Sequence, residues 1–235
     1  RQRQMCIRDS MDEEWANNKE KVLEYCKKDA ELALKIVDYL EALRKLMDLS
    51  AVSKLPLEDV HTSGSSTLID SILIREADRT LPPTAVPMTS TMNNDEDAIE
   101  GGYVHDIEPG LYHWVIVLDF KSMYPSLIIR NNICFTTLNP EGTIVAPNGA
   151  KFLSKDVKEG LLPRILTELM KQRDEIKKKM KESKTPDEYR YYDGLQNAVK
   201  VLMNAFYGVF ASSFYRFTDH DIGSAITGFA RETVK

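Results

Sequence analysis

Asp119 closes a short apolar run, Trp114-Val-Ile-Val-Leu118, and is followed by Ser122, Met123 and Tyr124. A carboxylate fixed at the end of a strand suits a divalent metal. Backbone N–H groups at the start of a following helix suit phosphate oxygens. Together they would hold a metal-bound triphosphate. The plainer reading is that Asp119 only caps the helix. A second group is Lys200, Asn204 and Tyr207, spaced i, i+4, i+7. In a helix these fall within about 60° of one another. Ala198, Val199, Leu202 and Phe206 take the opposite side. A cation, an amide and a phenol then stand in a row, unless the row is a solvated face with a chance polar stripe.

Positive charge is dense between Lys171 and Lys184. Lys171, Lys178 and Lys179 point away from the apolar stripe and read as solvated surface. Arg173 and Lys177 lie at the edge of the stripe made by Leu162, Leu169, Ile176 and Met180. A cation pair at i, i+4 beside a buried seam can converge on an anion between helices. Asp219-His220-Asp221 has metal-ligand residue types, but helix capping explains it better. His105 and His113 are isolated. Tyr25 and Asp29 share a helical face, as many i, i+4 pairs do.

These residues need elements to hold them. Val22, Leu23, Cys26, Ala30, Leu34, Val37, Leu40 and Leu46 recur at helical spacing and predict one long helix or two abutting ones over 19–48. A polar patch, 61–67, precedes a shorter helix over 68–75. Residues 80–97 hold three prolines and read as a linker. The run 114–118 predicts a strand buried on both faces. Pro125 marks a helix start and is expected to hold Tyr124 extended. Residues 142–149 are turn-rich. A helix over 161–184 is followed by Thr185-Pro186-Asp187-Glu188, a capping box with proline at the first helical position. This predicts a second helix to about Gly208, containing Gly194 at a cost of about 1 kcal/mol. So short a link predicts an antiparallel helical hairpin. A further helix begins near Asp221. The fold class expected is α/β mixed, of the α+β kind.

Composition bounds the rest. The chain is 43% hydrophobic and 29% charged, enough for one or two globular domains. Its net charge of −5 gives no general attraction for polyanions, so basic patches would have to provide it. Cys6, Cys26 and Cys134 lie far apart, without metal-site spacing, and fit a reducing compartment. No apolar run reaches the roughly 18 residues of a membrane span. Arg1 to Ser10 are polar and aperiodic, and Met5-Cys-Ile-Arg-Asp-Ser10 matches a reading frame of a sequencing-library adapter. They are expected to be an artefact, with the native chain cut upstream.

Asp119-Phe-Lys-Ser122-Met-Tyr124-Pro125-Ser126 resembles the first polymerase motif of family B DNA polymerases, D-x-x-S-L-Y-P-S. Lys200-Val-Leu-Met-Asn204-Ala205-Phe-Tyr207-Gly208 resembles their second, K-x-x-x-N-S-x-Y-G. Arg173 and Lys177 stand where the family's fingers helix carries its cations. Tyr25-Cys-Lys-Lys-Asp29 is similar to the third motif of the proofreading exonuclease, Y-x-x-x-D. The resemblance runs from about residue 19 and has an archaeal flavour.

The resemblance implies that Asp119 binds two catalytic Mg²⁺ ions and that Tyr124 excludes a ribose 2′-hydroxyl. Arg173, Lys177 and Lys200 would grip the triphosphate, Asn204 would support them, and the backbone at Ser122 and Met123 would touch the phosphates. Tyr207 would pack at the nascent base pair. Asp29, supported by Tyr25, would serve an exonuclease metal site. The implied organisation is the end of a 3′–5′ exonuclease domain over 11–56 and a connecting helix and linker over 57–100. Part of the palm follows over 101–158, then the fingers hairpin over 159–208 and the start of a second palm segment over 209–235. Primer-template DNA and dNTP are the implied partners, with a sliding clamp as a further one and no membrane. The implied location is an archaeal cytoplasm and nucleoid, or a nucleus or virus for other lineages.

Three positions depart from the motifs. Ala205 replaces Ser, Met123 replaces Leu, and Ile99-Glu-Gly101-Gly102 lacks the Tyr of the family's Y-x-G-G. The partner carboxylates of both sites are expected outside the chain, so the chain alone is expected to be inactive. The competing reading is a catalytically dead, polymerase-like DNA-binding protein. A helical structural protein with chance motifs is the third.

Overall fold

A computed structural model of the chain describes residues 11–86, 99–212, 215–217 and 219–234. The expected adapter segment with Cys6, and residues 87–97 of the expected linker, lie outside the described residues. The chain divides into two compact units, one ending at Met47 and the other beginning at Asp48.

The first unit holds α1 (Met11–Asn17), α2 (Lys19–Tyr39) and the start of α3 (Ala42–Ser53). Asn18 begins α2 by accepting the Lys21 N–H on its side chain. This satisfies one donor that the first turn leaves without an intrahelical partner. The helical periodicity of 19–48 thus resolves into two helices, separated where Glu41 takes φ 48. Within α2 only Val22 is buried; Leu23, Leu34, Val37 and Leu40 are exposed.

The second unit contains α4 (Leu57–Thr62), α5 (Ser65–Asp78), α6 (Met123–Arg130), α7 (Leu161–Glu182), α8 (Pro186–Phe210) and α9 (His220–Val234). The capping box forms as the sequence predicts. Thr185 Oγ1 accepts the Glu188 N–H at 3.2 Å, and the Glu188 carboxylate accepts the Thr185 N–H at 3.4 Å. Arg173 bonds Gln196 across the 183–185 link, so α7 and α8 run antiparallel. Their seam, with Leu162, Leu166, Leu169, Val199, Met203 and Phe206, belongs to the buried core.

The segment between α6 and α7 is organised by one buried side chain. Asn132, 2% exposed, donates to the carbonyls of Leu153 (2.7 Å) and Lys158 (2.8 Å) and accepts the Gly160 N–H (2.9 Å). These bonds satisfy a buried amide and fix the entry to α7. Gly160 suits that entry, because a Cβ there would stand 2.9 Å from Cys134 Cβ. Cys134 is fully buried, and burial pushes its thiol pKa up. Cys26 is exposed.

The turn-rich stretch 142–149 carries β1 (Ile144–Val145) and turns through Gly149, at φ 87, into the antiparallel β2 (Lys151–Phe152) just beyond it. Among the described residues this is the sheet, and the expected α+β class is met only by a mostly helical fold. The run 114–118 does not form the expected buried strand. Trp114 sits at φ 63, and Trp114, Ile116 and Leu118 are 97%, 83% and 90% exposed. A strand buried on both faces needs hydrogen-bonded neighbours and cover, and no described residue pairs with this run. Tyr124 is also not extended: it lies in the first turn of α6, whose Ser126 N–H bonds the Ser122 carbonyl at 2.9 Å. The restriction before proline is a bias that this helical turn overrides.

Two contacts of the second unit set its stability. Gly194 lies against α3: a Cβ there would stand 2.1 Å from Asp48 Oδ2. Asp48 is 6% exposed, with little room to retreat. On helix propensity alone Gly194→Ala would stabilise by about 1 kcal/mol. The collision reverses the sign, and we expect a loss of about 1–3 kcal/mol in denaturant unfolding. In an Asp48→Ala background the same change should become stabilising. Further along, Arg216 forms a bidentate pair with Asp70 of α5, its Nε at 2.8 Å from Oδ1 and its Nη2 on Oδ2. Tyr215 also donates to Asp70, at 3.3 Å. Arg216→Ala leaves a partly buried carboxylate without its cation and should cost about 2 kcal/mol in the same unfolding experiment.

Candidate functional site

The first motif folds as a turn ahead of a short helix. Ser122 occupies the N-cap of α6 at φ 50, ψ 58, and its side chain makes no capping bond. The left-handed conformation costs a non-glycine residue about 1–2 kcal/mol. Ser126 helps to offset this by donating its hydroxyl to the Lys121 carbonyl at 2.9 Å. Asp119 precedes the turn on exposed, irregular backbone. The N-cap position falls to Ser122, so Asp119 is not the N-cap of α6.

The turn is tied to α7 through Lys121, whose ammonium lies 3.1 and 3.0 Å from the two carboxylate oxygens of Asp174. Beside Asp174 stand Arg173 and Lys177. Arg173 donates through Nε and Nη2 to Gln196 Oε1, each at 3.2 Å. Gln196 is 7% exposed and donates its own amide N–H to Asp193 Oδ1 at 3.0 Å. The positive charge of Arg173 is the main cause that pulls the Lys177 pKa below its ordinary value. Burial and the charges of Lys121 and Lys181 act in the same direction, and Asp174 opposes them. Like charges held this close favour an added anion. Lys121 is the member that sequence reasoning missed, because it fills an unspecified position of its motif.

The two motifs meet at their aromatic rings. Tyr124 of α6 stacks on Tyr207 of α8, with centroids 4.4 Å apart and planes at 16°. Burial raises the Tyr207 pKa, and Tyr124 adds to the rise, while the charge of Arg231 works against it. The face expected on the second helix is present. Ala198, Val199, Leu202 and Phe206 are buried, and Lys200 and Asn204 are exposed.

Other residues are not drawn into this group. Tyr25 and Asp29 belong to the first unit, on α2. Asp219 accepts the Asp221 N–H at 2.9 Å at the start of α9, the capping role expected for it. His105 is exposed and shares a hydrogen bond with the Tyr103 hydroxyl at 2.9 Å; His113 is exposed as well. Among the described residues no three His, Cys, Asp or Glu side chains gather as metal ligands.

Comparison with known proteins identifies the family. Residues 55–235 match the profile of DNA polymerase family B. The chain is 33% identical to a DNA polymerase of Pyrococcus glycovorans, covering 95% of this chain and 29% of that one. It is 30% identical to the DNA polymerase delta catalytic subunit of Oryza sativa subsp. japonica, covering 90% and 20%. The fold is similar to that of the family B DNA polymerase from Pyrobaculum calidifontis, with a TM-score of 0.74 at 29% identity, covering 94% of this chain and 30% of that one. This chain thus spans about a fifth to three tenths of the length of these relatives. The matched region contains both motifs, the basic hairpin between them and the stacked tyrosines that join them, and on these grounds the chain belongs to DNA polymerase family B.

Proposed function

We propose that this chain is the central part of a DNA-directed DNA polymerase and contributes the nucleotide side of its active site. The observation that carries the reading is the Tyr124–Tyr207 stack, which brings the first motif to the second. In this reading residues 159–208 are the fingers, 101–158 and the stretch from 209 belong to the palm, and 11–56 close an exonuclease domain. The substrates are primer-template DNA and a dNTP.

The reaction joins the primer 3′-oxygen to the α-phosphorus of the dNTP and expels pyrophosphate. Catalysis here is mostly positioning and charge neutralisation. Asp119 would hold Mg²⁺, with carboxylates from outside the described residues. Bound Mg²⁺ supplies charge stabilisation at the attacking and leaving oxygens. Arg173, Lys177 and Lys200 neutralise the triphosphate, and Asn204 orients it. Lys121 keeps the first motif beside those cations through Asp174. The N–H groups of Ser122 and Met123, at the N-terminus of α6, would face phosphate oxygens. Tyr124 stands against the sugar and Tyr207 against the new base pair. Tyr25 and Asp29 would serve proofreading at a separate site.

Two measurements on the complete polymerase test the reading. Asp119→Ala should lose more than about 90% of primer extension, at least 1.4 kcal/mol in the barrier, and keep its exonuclease rate. Extension near the wild-type rate would remove Asp119 from the metal site. Lys200→Ala should lower kcat/KM for dNTP by about 1.5–3 kcal/mol, the worth of a charge-assisted contact, with primer-template affinity unchanged. Weaker DNA binding with unaltered nucleotide kinetics would move Lys200 to the DNA track. A wild-type enzyme that binds DNA but never extends a primer would favour a catalytically dead binding protein.

A further inference from the structure

Residues 99–102 form a short strap held by α9. Ile99 occupies space that Gly223 leaves open: a Cβ on Gly223 would stand 2.6 Å from Ile99 Cδ1. Arg231, near the end of α9, donates through Nη1 to the carbonyls of Glu100 (2.9 Å) and Gly101 (2.8 Å). Its Nη2 also lies 3.2 Å from the Glu100 carboxylate. The Glu100 side chain is 80% exposed, so the two carbonyl bonds hold the strap more than the ion pair does. The strap is therefore anchored at a packed side chain and at two backbone oxygens, immediately before Gly102.

Gly102 meets the tip of Tyr124. A Cβ built on Gly102 would stand 3.3 Å from the Tyr124 hydroxyl oxygen, closer than side-chain carbons normally approach. The face of the same ring rests on Tyr207. Tyr124 thus has a stack on its face, and at its hydroxyl it has the room that a residue without a side chain leaves. A displacement of about 1 Å can cost on the order of a hundredfold in rate, so a wall that selects by shape is sensitive to where it stands.

We propose that Gly102 is a positioning residue for sugar selection: through the strap that Arg231 and Ile99 anchor, it sets where the Tyr124 ring stands. The inference rests on the reading of Tyr124 as the wall beside the sugar. It also gives Ile99 a part in this chain, as the side chain that seats the strap on α9. Gly102 does not have the left-handed φ that demands glycine, so alanine fits the backbone there. The methyl group pressing on the hydroxyl is then the only new feature.

The test is the dNTP/rNTP ratio of kcat/KM in the complete polymerase, for wild type, Tyr124→Ala, Tyr124→Phe, Gly102→Ala and the Gly102→Ala/Tyr124→Phe double variant. Tyr124→Ala should collapse the ratio. Gly102→Ala should lower it by at least about threefold. Tyr124→Phe removes the atom that the methyl would strike, so adding Gly102→Ala to it should leave the ratio within about twofold of Tyr124→Phe alone. A ratio unmoved by Gly102→Ala, or an effect equally large in the Phe background, overturns the role of Gly102 while the Tyr124 reading stands. If Tyr124→Ala keeps the wild-type ratio, the sugar-wall reading fails and takes this inference with it.

Discussion

The second unit depends on α8 burying one face while exposing the other. Val199, Leu202, Met203 and Phe206 are at most 1% exposed, and α8 packs against α5, α6, α7 and α9. A helix gripped on that many sides cannot rotate without breaking the core. Its rotation about its axis decides where Lys200, Asn204 and Tyr207 point. The same grip explains Gly194, where α8 approaches the buried Asp48 too closely for any side chain. Glycine there costs helix propensity and gains a close approach.

Side chains, rather than a shared sheet, join the functional segments to this frame. Tyr124 reaches Tyr207, Lys121 reaches Asp174, and Arg173 reaches Gln196. The first two links connect segments more than fifty residues apart, the third ties the two helices of the hairpin together, and each ends on α7 or α8. The hairpin that carries Arg173 and Lys177 thus also holds the turn after Asp119, through Lys121 and Asp174. The charges at Arg173 and Lys121 both act against that of Lys177, and Asp174 offsets them only in part. An added anion beside them would relieve that repulsion.

Much of the fold was legible before the structure. Thr185, Pro186 and Glu188 specify a helix start through bonds between near neighbours, and the capping box forms as expected. The apolar spacing of α7 and α8 identified the buried seam, and the placement of Lys200 and Asn204 on the opposite face followed from 3.6-residue periodicity. Asp219 as a cap was legible for the same local reason. The Trp114–Leu118 run misled because an apolar, β-branched segment specifies only that it could be a strand. Whether it becomes one depends on partners elsewhere. The small hairpin at Ile144–Phe152 was hidden because two-residue strands leave no period to read.

The sequence by itself determined the helical hairpin with its capping box, the buried faces of α7 and α8, and the two motifs. All of these are written in residues within a turn or two of each other, where spacing and hydrogen-bonding chemistry suffice. Only the tertiary structure decided that Tyr124 stacks on Tyr207 and that Lys121 joins the cations of α7. It alone decided that Asn132 ties together three distant backbone groups and that Ile99 rests where Gly223 makes room. Such contacts join residues separated by long stretches of chain. No local pattern encodes them, because they arise only when the helices have packed and a side chain meets whatever the folded core brings to it.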